Sequence, residues 1–599
     1  MDNKDKERLE MSIKEQISIV EGYFRDFDSI QLLGSVGLYL IDNLPNMEKY
    51  FMAHIAGGEM QLDEDAEVIA EYAMNFGLSM ANCGGEMPSS EVVISLRETL
   101  RGLCNAYKII DMPLEYDAEK YIDWVIHSQS IAVRGDGYQQ HVQEVFQELF
   151  YPHSGFYELT YGFSMVELFN FFMDLEDRII CKIGDQRIIY GATKLHERWK
   201  RWEEKTFGPL NDEASFLTHD FSKGMFGEFF EANPDVPHSD DGNMFLPFAP
   251  DDYSGSEKIF WVWPQNDTER NIMEALSTTF GSNASFIAEG EYKGNIMNGY
   301  SIYEKPFVKV NDMFYCFTPM IPHRNLFYIA ERLMMRDDAY YQKNFQQNLN
   351  SYSRDKYIER KVKEVMESFL PTISFHSSLN YTFEEEGISK RTELDILGVS
   401  DSATYVIEVK AHELNYRDKA GLKGAKYKFE HSVAEACRQC CRAKDYICNT
   451  EAPIFSEHGG NIVNVDKVKP VFKIAVSLQH YSSLIGQMDM LIEAGLMENS
   501  YRDTWIVSLF DLMACAPFIK SEDDFINYLE MHNGLSLNHC IYYDELDVLN
   551  GFLNSNMVDL VKSGKQLTVA PDHKVIDEYF VKEFYPTFVN INKEENENR

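Results

Sequence analysis

Residues 391–410 read RTELDILGVSDSATYVIEVK. Two apolar, β-branched runs, 392–399 and 404–411, flank residues 400–403, where Ser and Asp are turn formers. A connection over 400–403 closes a hairpin in which Val399 faces Thr404. The same register sets Asp395 opposite Glu408 and Glu393 opposite Lys410. Side chains alternate along a strand, so Glu393, Asp395, Glu408 and Lys410 are predicted to share one face. Leu394, Ile396, Ile407 and Val409 are predicted to share the other and enter a core.

Directly opposed residues bring their Cβ atoms to about 4.5–5.5 Å, where like charges destabilise a sheet. Two carboxylates so placed call for a proton or a cation. Mg²⁺ suits them, because it takes oxygen ligands at about 2.0–2.1 Å and keeps several waters. The Val409 carbonyl is a further candidate ligand. Lys410 is aimed at the same place, where an ammonium holds an attacking water or steadies charge on a phosphoryl oxygen. The competing reading is a solvated hairpin face. E-x-K alone recurs by chance in a chain of 599 residues, and it is the whole arrangement that favours a metal centre.

Asp395 followed by Glu408-Val409-Lys410 in a β-prone run resembles the PD-(D/E)XK nuclease superfamily. That superfamily includes many restriction endonucleases, Holliday-junction resolvases and Mrr-like enzymes. The resemblance covers roughly residues 350–530. It implies a mixed central sheet flanked by helices, in the order helix, three-strand meander, helix, strand. It also implies Mg²⁺, with Mn²⁺ as a substitute, held by Asp395, Glu408 and Val409, with Lys410 catalytic. A helix carrying a Glu near the site should precede the hairpin. Residues 357–370 are amphipathic, with Ile358, Val362, Val365, Met366 and Phe369 at helical spacing. Glu359 borders that stripe and is the better match, since Glu364 falls on the polar face. Pro371 stops the helix, and 374–383 supplies the first strand of the meander.

A helix should also follow Lys410, and residues 429–448 supply one. Gln439, Arg442 and Tyr446 lie together on it. Branches of the superfamily carry Q-x-x-x-Y here, whereas this chain has six residues between Gln439 and Tyr446, which puts Tyr446 in doubt. Gln439 is the carried-over candidate for positioning water or phosphate, against an ordinary surface Gln. Residues 471–478 read as a strand buried on both faces. Residues 504–510 read as another strand, and 521–531 as a helix capped by Ser521. Cys437, Cys440, Cys441 and Cys448 lie on one helix and cannot enclose an ion, so they read as packing thiols.

The composition, 44% hydrophobic and 13% aromatic, excludes global disorder. No apolar stretch reaches the eighteen or so residues of a membrane helix, the N-terminus is charged, and the Cys pattern suits a reducing cytoplasm. The expected class is multidomain α+β. A mainly helical region is expected over 1–210, with a possible sensing role, and a mixed α/β region over 211–345 with a hairpin at 305–317. A C-terminal α/β, restriction-endonuclease-like domain is expected over 346–590, with a disordered tail at 591–599. Residues 233–256 read as a linker.

The formal net charge is −40, yet residues 410–444 hold nine Lys or Arg against four acids. A local basic track beside the centre fits a phosphate backbone, and Lys419, Lys423, Lys426, Lys428, Arg438 and Arg442 are its candidates. The acidic remainder argues against a general nucleic-acid binder. The expected function is therefore a restrained metal-dependent endonuclease, with DNA favoured. An activating or inhibiting protein partner, or a homo-oligomer, fits that restraint. Analogy suggests a bacterial anti-phage effector. The alternatives are a non-catalytic nuclease-fold protein acting through protein contacts, and an RNA- or tRNA-cleaving nuclease.

Overall fold

The computed structural model describes residues 3–43, 65–81, 84–132, 137–180, 201–202, 205, 229, 231–234, 257–290, 293–296, 298, 301–347, 351–385, 387–411, 425–478, 480–481, 484–554 and 556–584. The expected linker, beyond residue 234, and the expected tail lie outside these. No helix among the described residues is long and apolar enough to cross a membrane.

The chain divides into two compact units, Met1–Ile110 with Phe150–Arg336, and Asp111–Leu149 with Asp337–Arg599. The sequence places boundaries near 210 and 345. The difference at 111–149 has a simple cause: helical periodicity reveals an apolar stripe, not the core that the stripe enters. The first unit carries the expected helices, Asn3–Asp26, Ser29–Asn43, Ala66–Ser79, Ser90–Ile110 and Met165–Ile180. The first two helices are separated at Phe27–Asp28, where the Asp28 carboxylate accepts the Gln31 N–H at 3.0 Å and starts a new helix. The hairpin at 305–317 is present as Phe307–Val310 and Met313–Tyr315, in a four-stranded sheet. Asn311 takes a φ of 55° at its turn, where Asn is tolerated.

The second unit holds a seven-stranded mixed sheet. In chain order its strands and four of its helices are α1 (Arg354–Phe369), β1 (Ser374–Glu385), β2 (Ile388–Val399), β3 (Thr404–Lys410), α2 (Glu435–Asn449), β4 (Ile454–Glu457), β5 (Ile462–Asn464), β6 (Val471–Ser477), β7 (Thr504–Ser508), α3 (Leu509–Cys515) and α4 (Glu522–Leu537). The strand order is β7-β6-β3-β2-β1-β4-β5. β3, β6 and β7 run parallel, with Lys410 beside Ser477 and Ser477 beside Ser508. The remaining neighbours are antiparallel. β6 is buried along its whole length, as a strand covered on both faces should be.

One strand is shorter than its apolar pattern suggests. The pattern predicts an extended run over 504–510, but β7 ends at Ser508. Its hydroxyl accepts the Asp511 N–H at 3.0 Å and caps α3. Ser521 caps α4 in the same way, as expected.

The hairpin register matches the sequence reading from Val399–Thr404 through Ile396–Ile407. Beyond that point the strands part. Asp395 has no ladder partner on β3, and the β1–β2 pairing also skips it, resuming at Leu379–Leu394. Ser378, which the register sets across from Asp395, takes a left-handed φ of 54°. The predicted two faces therefore need correction. Leu394 and Leu397 enter one buried cluster with Val406, Cys440 and Ile447, which strict alternation forbids for residues three apart. The interruption falls on both strands at one position, Ser378 and Asp395, and the pairing keeps the same register on either side of it.

A separate part of the unit carries a pH-sensitive clasp. His573 Nδ1 lies 2.9 Å from Asp547 Oδ1, and its Nε2 3.6 Å from Asp577 Oδ2. These partners, the Asp547 hydrogen bond foremost, raise the imidazole from 6.5 to about 9. A raised folded-state pKa gives stability that is complete below the unfolded value and lost as pH rises through the folded one. The melting temperature should therefore decline between pH about 6.5 and 9, and His573→Gln should flatten that decline. Coincident pH–melting curves for the two proteins would show that the clasp contributes nothing.

Candidate metal centre

Three of the predicted residues meet at the C-terminal end of β3. Lys410 Nζ lies 3.2 Å from Glu408 Oε2 and 3.8 Å from Asp395 Oδ2. Asp395 Oδ2 accepts the Val409 N–H at 2.8 Å. That bond follows from the way the strand is paired. Thr404 donates to Pro470 O at 2.9 Å and Lys410 O accepts from Leu478 at 3.1 Å, so even-numbered residues of β3 bond to β6. The peptide groups of Val409 therefore face β2, past the point where the β2–β3 ladder stops. The Asp395 carboxylate takes the N–H, and the Val409 carbonyl opens towards the same place.

Glu408 is 1% exposed, and its Oε1 has no hydrogen-bond partner among the described residues. Burial, then the neighbouring Asp395, push its carboxyl well above the ordinary range, and the Lys410 ammonium pulls it back. Lys410 feels burial first, which lowers it, but Glu408 and Asp395 outweigh this and raise it. A buried acceptor left unsatisfied costs about 1–3 kcal/mol. The Glu408 Oε1 atom therefore calls for a proton or a cation.

Glu359 joins from α1. Its carboxyl is raised by burial and then by Asp395, which sets it in the field of the centre. It accepts from Lys356 Nζ at 2.6 Å. Lys356 is not among the residues that the sequence singles out. It sits one turn before Glu359 and is raised, against the effect of burial, by Glu359, Glu393 and Asp395. The signal for it is present in the i, i+3 spacing of Lys356 and Glu359 on one helix face. Glu393, expected beside Lys410, lies instead 3.9 Å from His458 Nε2.

Gln439 touches neither carboxylate nor Lys410 among the described residues. Its Oε1 is buried and has no partner. The adjacent Cys440 donates to Ile474 O at 3.3 Å, and its thiol is pushed well up by burial and then by Glu408, so this turn of α2 flanks the centre. Tyr446 serves the fold instead. Its hydroxyl accepts the Ile454 N–H and donates to the Ile454 carbonyl, both at 3.0 Å, stapling α2 to β4.

The basic track is largely committed elsewhere. Arg442 donates to Thr392 Oγ1 at 3.1 Å and lies over the Phe383 ring at 5.1 Å. Arg438 pairs with Glu435. Lys426 Nζ lies 2.8 Å from Glu119 and 3.2 Å from Asp123. The half-buried Lys428 belongs to the short helix Ala425–Phe429. Lys419 and Lys423 lie outside the described residues.

No family model matches this chain, and neither the curated proteins nor the solved structures give a match.

The electrostatics can be tested without any activity. In metal-free buffer Glu408→Gln should melt at or above wild type, because an amide of the same shape replaces a carboxyl that burial and Asp395 both disfavour as an ion. Lys410→Met should melt lower. Its loss should fall short of the roughly 3–5 kcal/mol for stripping a buried pair, because Glu408 can take up a proton. The reverse order would mean that Glu408 is held as a satisfied ion by Lys410.

Proposed function

We propose that the chain is a metal-dependent nuclease of the PD-(D/E)XK type, hydrolysing phosphodiester bonds, with DNA favoured over RNA. The observation that carries this reading is Glu408, fully buried at a strand end beside Asp395 and Lys410 with one carboxylate oxygen lacking a partner. The helix–meander–helix–strand order of α1, β1–β3, α2 and β6 supports a restriction-endonuclease-like domain.

The donor set fits Mg²⁺, with Mn²⁺ as a substitute: two carboxylates and a main-chain carbonyl are hard oxygen donors. Asp395, Glu408 and the Val409 carbonyl would hold the ion. When bound, it supplies Lewis acidity at a phosphoryl oxygen and lowers the pKa of a coordinated water. Lys410 presents a fixed ammonium to the same point, where it orients the water or steadies developing negative charge. Glu359, raised by burial and then by Asp395, would hold a proton near the attacking water. Gln439 keeps a buried amide oxygen without a partner on α2, and it would position water or phosphate. Such an enzyme would act in the cytoplasm, with anti-phage defence as the analogous role.

A second reading has one observation in its favour. Lys410 already lies within ion-pair distance of both carboxylates, as it would if the centre were a structural salt bridge in a non-catalytic scaffold.

Cleavage assays with Mg²⁺ or Mn²⁺ on plasmid, linear, single-stranded and RNA substrates separate these readings. Asp395→Ala, Glu408→Ala and Lys410→Ala should each lower the rate by at least about 100-fold. Mg²⁺ should raise the melting temperature of the wild type and not of Asp395→Ala, since binding to the native state stabilises it by mass action. An equal shift in both would put the metal elsewhere, and no cleavage of any substrate would favour the scaffold. On Asp395→Ala, charge reversal at Lys419, Lys423, Lys426 and Lys428 should weaken nucleic-acid binding. The log–log salt slope should fall by about 0.9 per lost phosphate contact on duplex. An unchanged slope would retire the track.

A further inference from the structure

A second set of ligand-type side chains converges away from Asp395 and Glu408. His480, Asp511 and Asp544 each present one ligand atom, and these atoms lie within 4.8 Å of one another. Among the described residues this is the one group of three or more His, Cys, Asp or Glu side chains with that convergence. The His480 Nε2–Asp511 Oδ2 distance is 3.7 Å.

The fold explains the meeting. β6 and β7 run parallel and finish side by side at Ser477 and Ser508. His480 lies three residues past the end of β6, and Asp511 in the first turn of α3, just after β7. Asp544 directly precedes the helix Glu545–Asn554. Three segments far apart in sequence thus contribute one ligand each at the carboxyl ends of parallel strands, where open α/β sheets bind ligands.

Each carboxylate is also held from behind. The Ser508 hydroxyl donates to Asp511 Oδ2 at 2.7 Å, and the Leu546 N–H donates to Asp544 Oδ1 at 2.8 Å. Such outer hydrogen bonds orient metal ligands and leave lone pairs for an ion. Asp511 is buried, while His480 and Asp544 are half-buried, so the group opens to solvent on one side. The ligand atoms of a tetrahedral ion at about 2.0–2.2 Å stand a little over 3 Å apart, within reach of small side-chain rotations.

We propose that His480, Asp511 and Asp544 form a second divalent-cation site, for Zn²⁺ first and Mn²⁺ second, that ties the end of β6 to α3 and to the following helix. An imidazole with two carboxylates is a borderline donor set of the kind these ions take. The all-oxygen set at Asp395 and Glu408 favours Mg²⁺ instead. The two sites share no residue, so this proposal does not depend on the nuclease reading.

The test uses the full chain carrying Asp395→Ala and Glu408→Ala, so that the first centre cannot contribute. After removal of metal with a chelator, titration calorimetry with Zn²⁺ should give one saturable equivalent per chain, and the melting temperature should rise with Zn²⁺. Adding His480→Ala, or separately Asp544→Asn, should abolish that equivalent and the rise. Asp544→Asn keeps the shape of a half-buried residue, and its circular dichroism should match the parent. On the otherwise wild-type chain, His480→Ala should keep any Mg²⁺-induced shift, which distinguishes failure here from failure of the first centre. Zn²⁺ binding retained in both variants, or no saturable equivalent in the parent, would overturn the proposal.

Discussion

The hydrogen bond from the Val409 N–H to the Asp395 carboxylate, at 2.8 Å, governs the C-terminal sheet at its most consequential point. Continuous pairing of β2 with β3 would join Asp395 to Glu408 across a closed ladder and occupy the Val409 peptide. Instead the ladder stops at Ile396–Ile407, and a side chain takes the place of a strand partner. A bond from a backbone N–H to a carboxylate is charge-assisted and stronger than the neutral one it replaces. The left-handed Ser378 on β1 is the other half of the arrangement, because the neighbouring strand must kink where β2 does. Strain of this kind persists where the surroundings over-determine it, and it gathers at functional sites.

The interruption also explains how an acid can sit inside a parallel sheet. Glu408 lies beside Ala475 of β6, in a strand whose residues are buried from Thr404 to Val409. An isolated carboxylate there would be expelled or protonated. Lys410, two residues on, supplies a counter-charge from the same strand, and the missing β2 partner leaves room for both groups.

Much of this was legible in the sequence because it rests on short-range periodicity. The hairpin register followed from a period of two and a four-residue turn, and α1, α2 and β6 from their apolar patterns. The parts that stayed hidden have non-local or cryptic causes. The kink at Asp395 depends on Ser378, seventeen positions away, taking a conformation that serine rarely adopts. The end of β7 turned on Ser508 competing as a helix cap inside an unbroken apolar run, with Asp511 three residues later as the overlooked sign. His480, Asp511 and Asp544 belong to no local motif, and only the parallel pairing of β6 with β7 brings the first two together. The membership of residues 111–149 in the second unit was equally invisible, since their helices carry the same kind of stripe as those of the first.

That membership changes the meaning of the local positive charge. Counting within residues 410–444 gives an excess of five, but a sequence window cannot see acids that arrive from elsewhere. Glu119 and Asp123 lie against Lys426, and Glu144 and Glu148 against Lys361. These pairs differ in kind. The Lys361 side chain is 5% exposed, so its two carboxylates fix α1 against the helix Gln139–Phe150, and losing them would strand a buried ammonium. The Lys426 partners are 69% and 51% exposed, and ion pairs of that sort contribute about 0–1 kcal/mol. On the proposed reading a phosphate would displace them at little cost, while the buried pair would stay. Acidic side chains of this unit thus act in two ways: some complete buried pairs that hold the fold, and others lie in exposed pairs that contribute little to it.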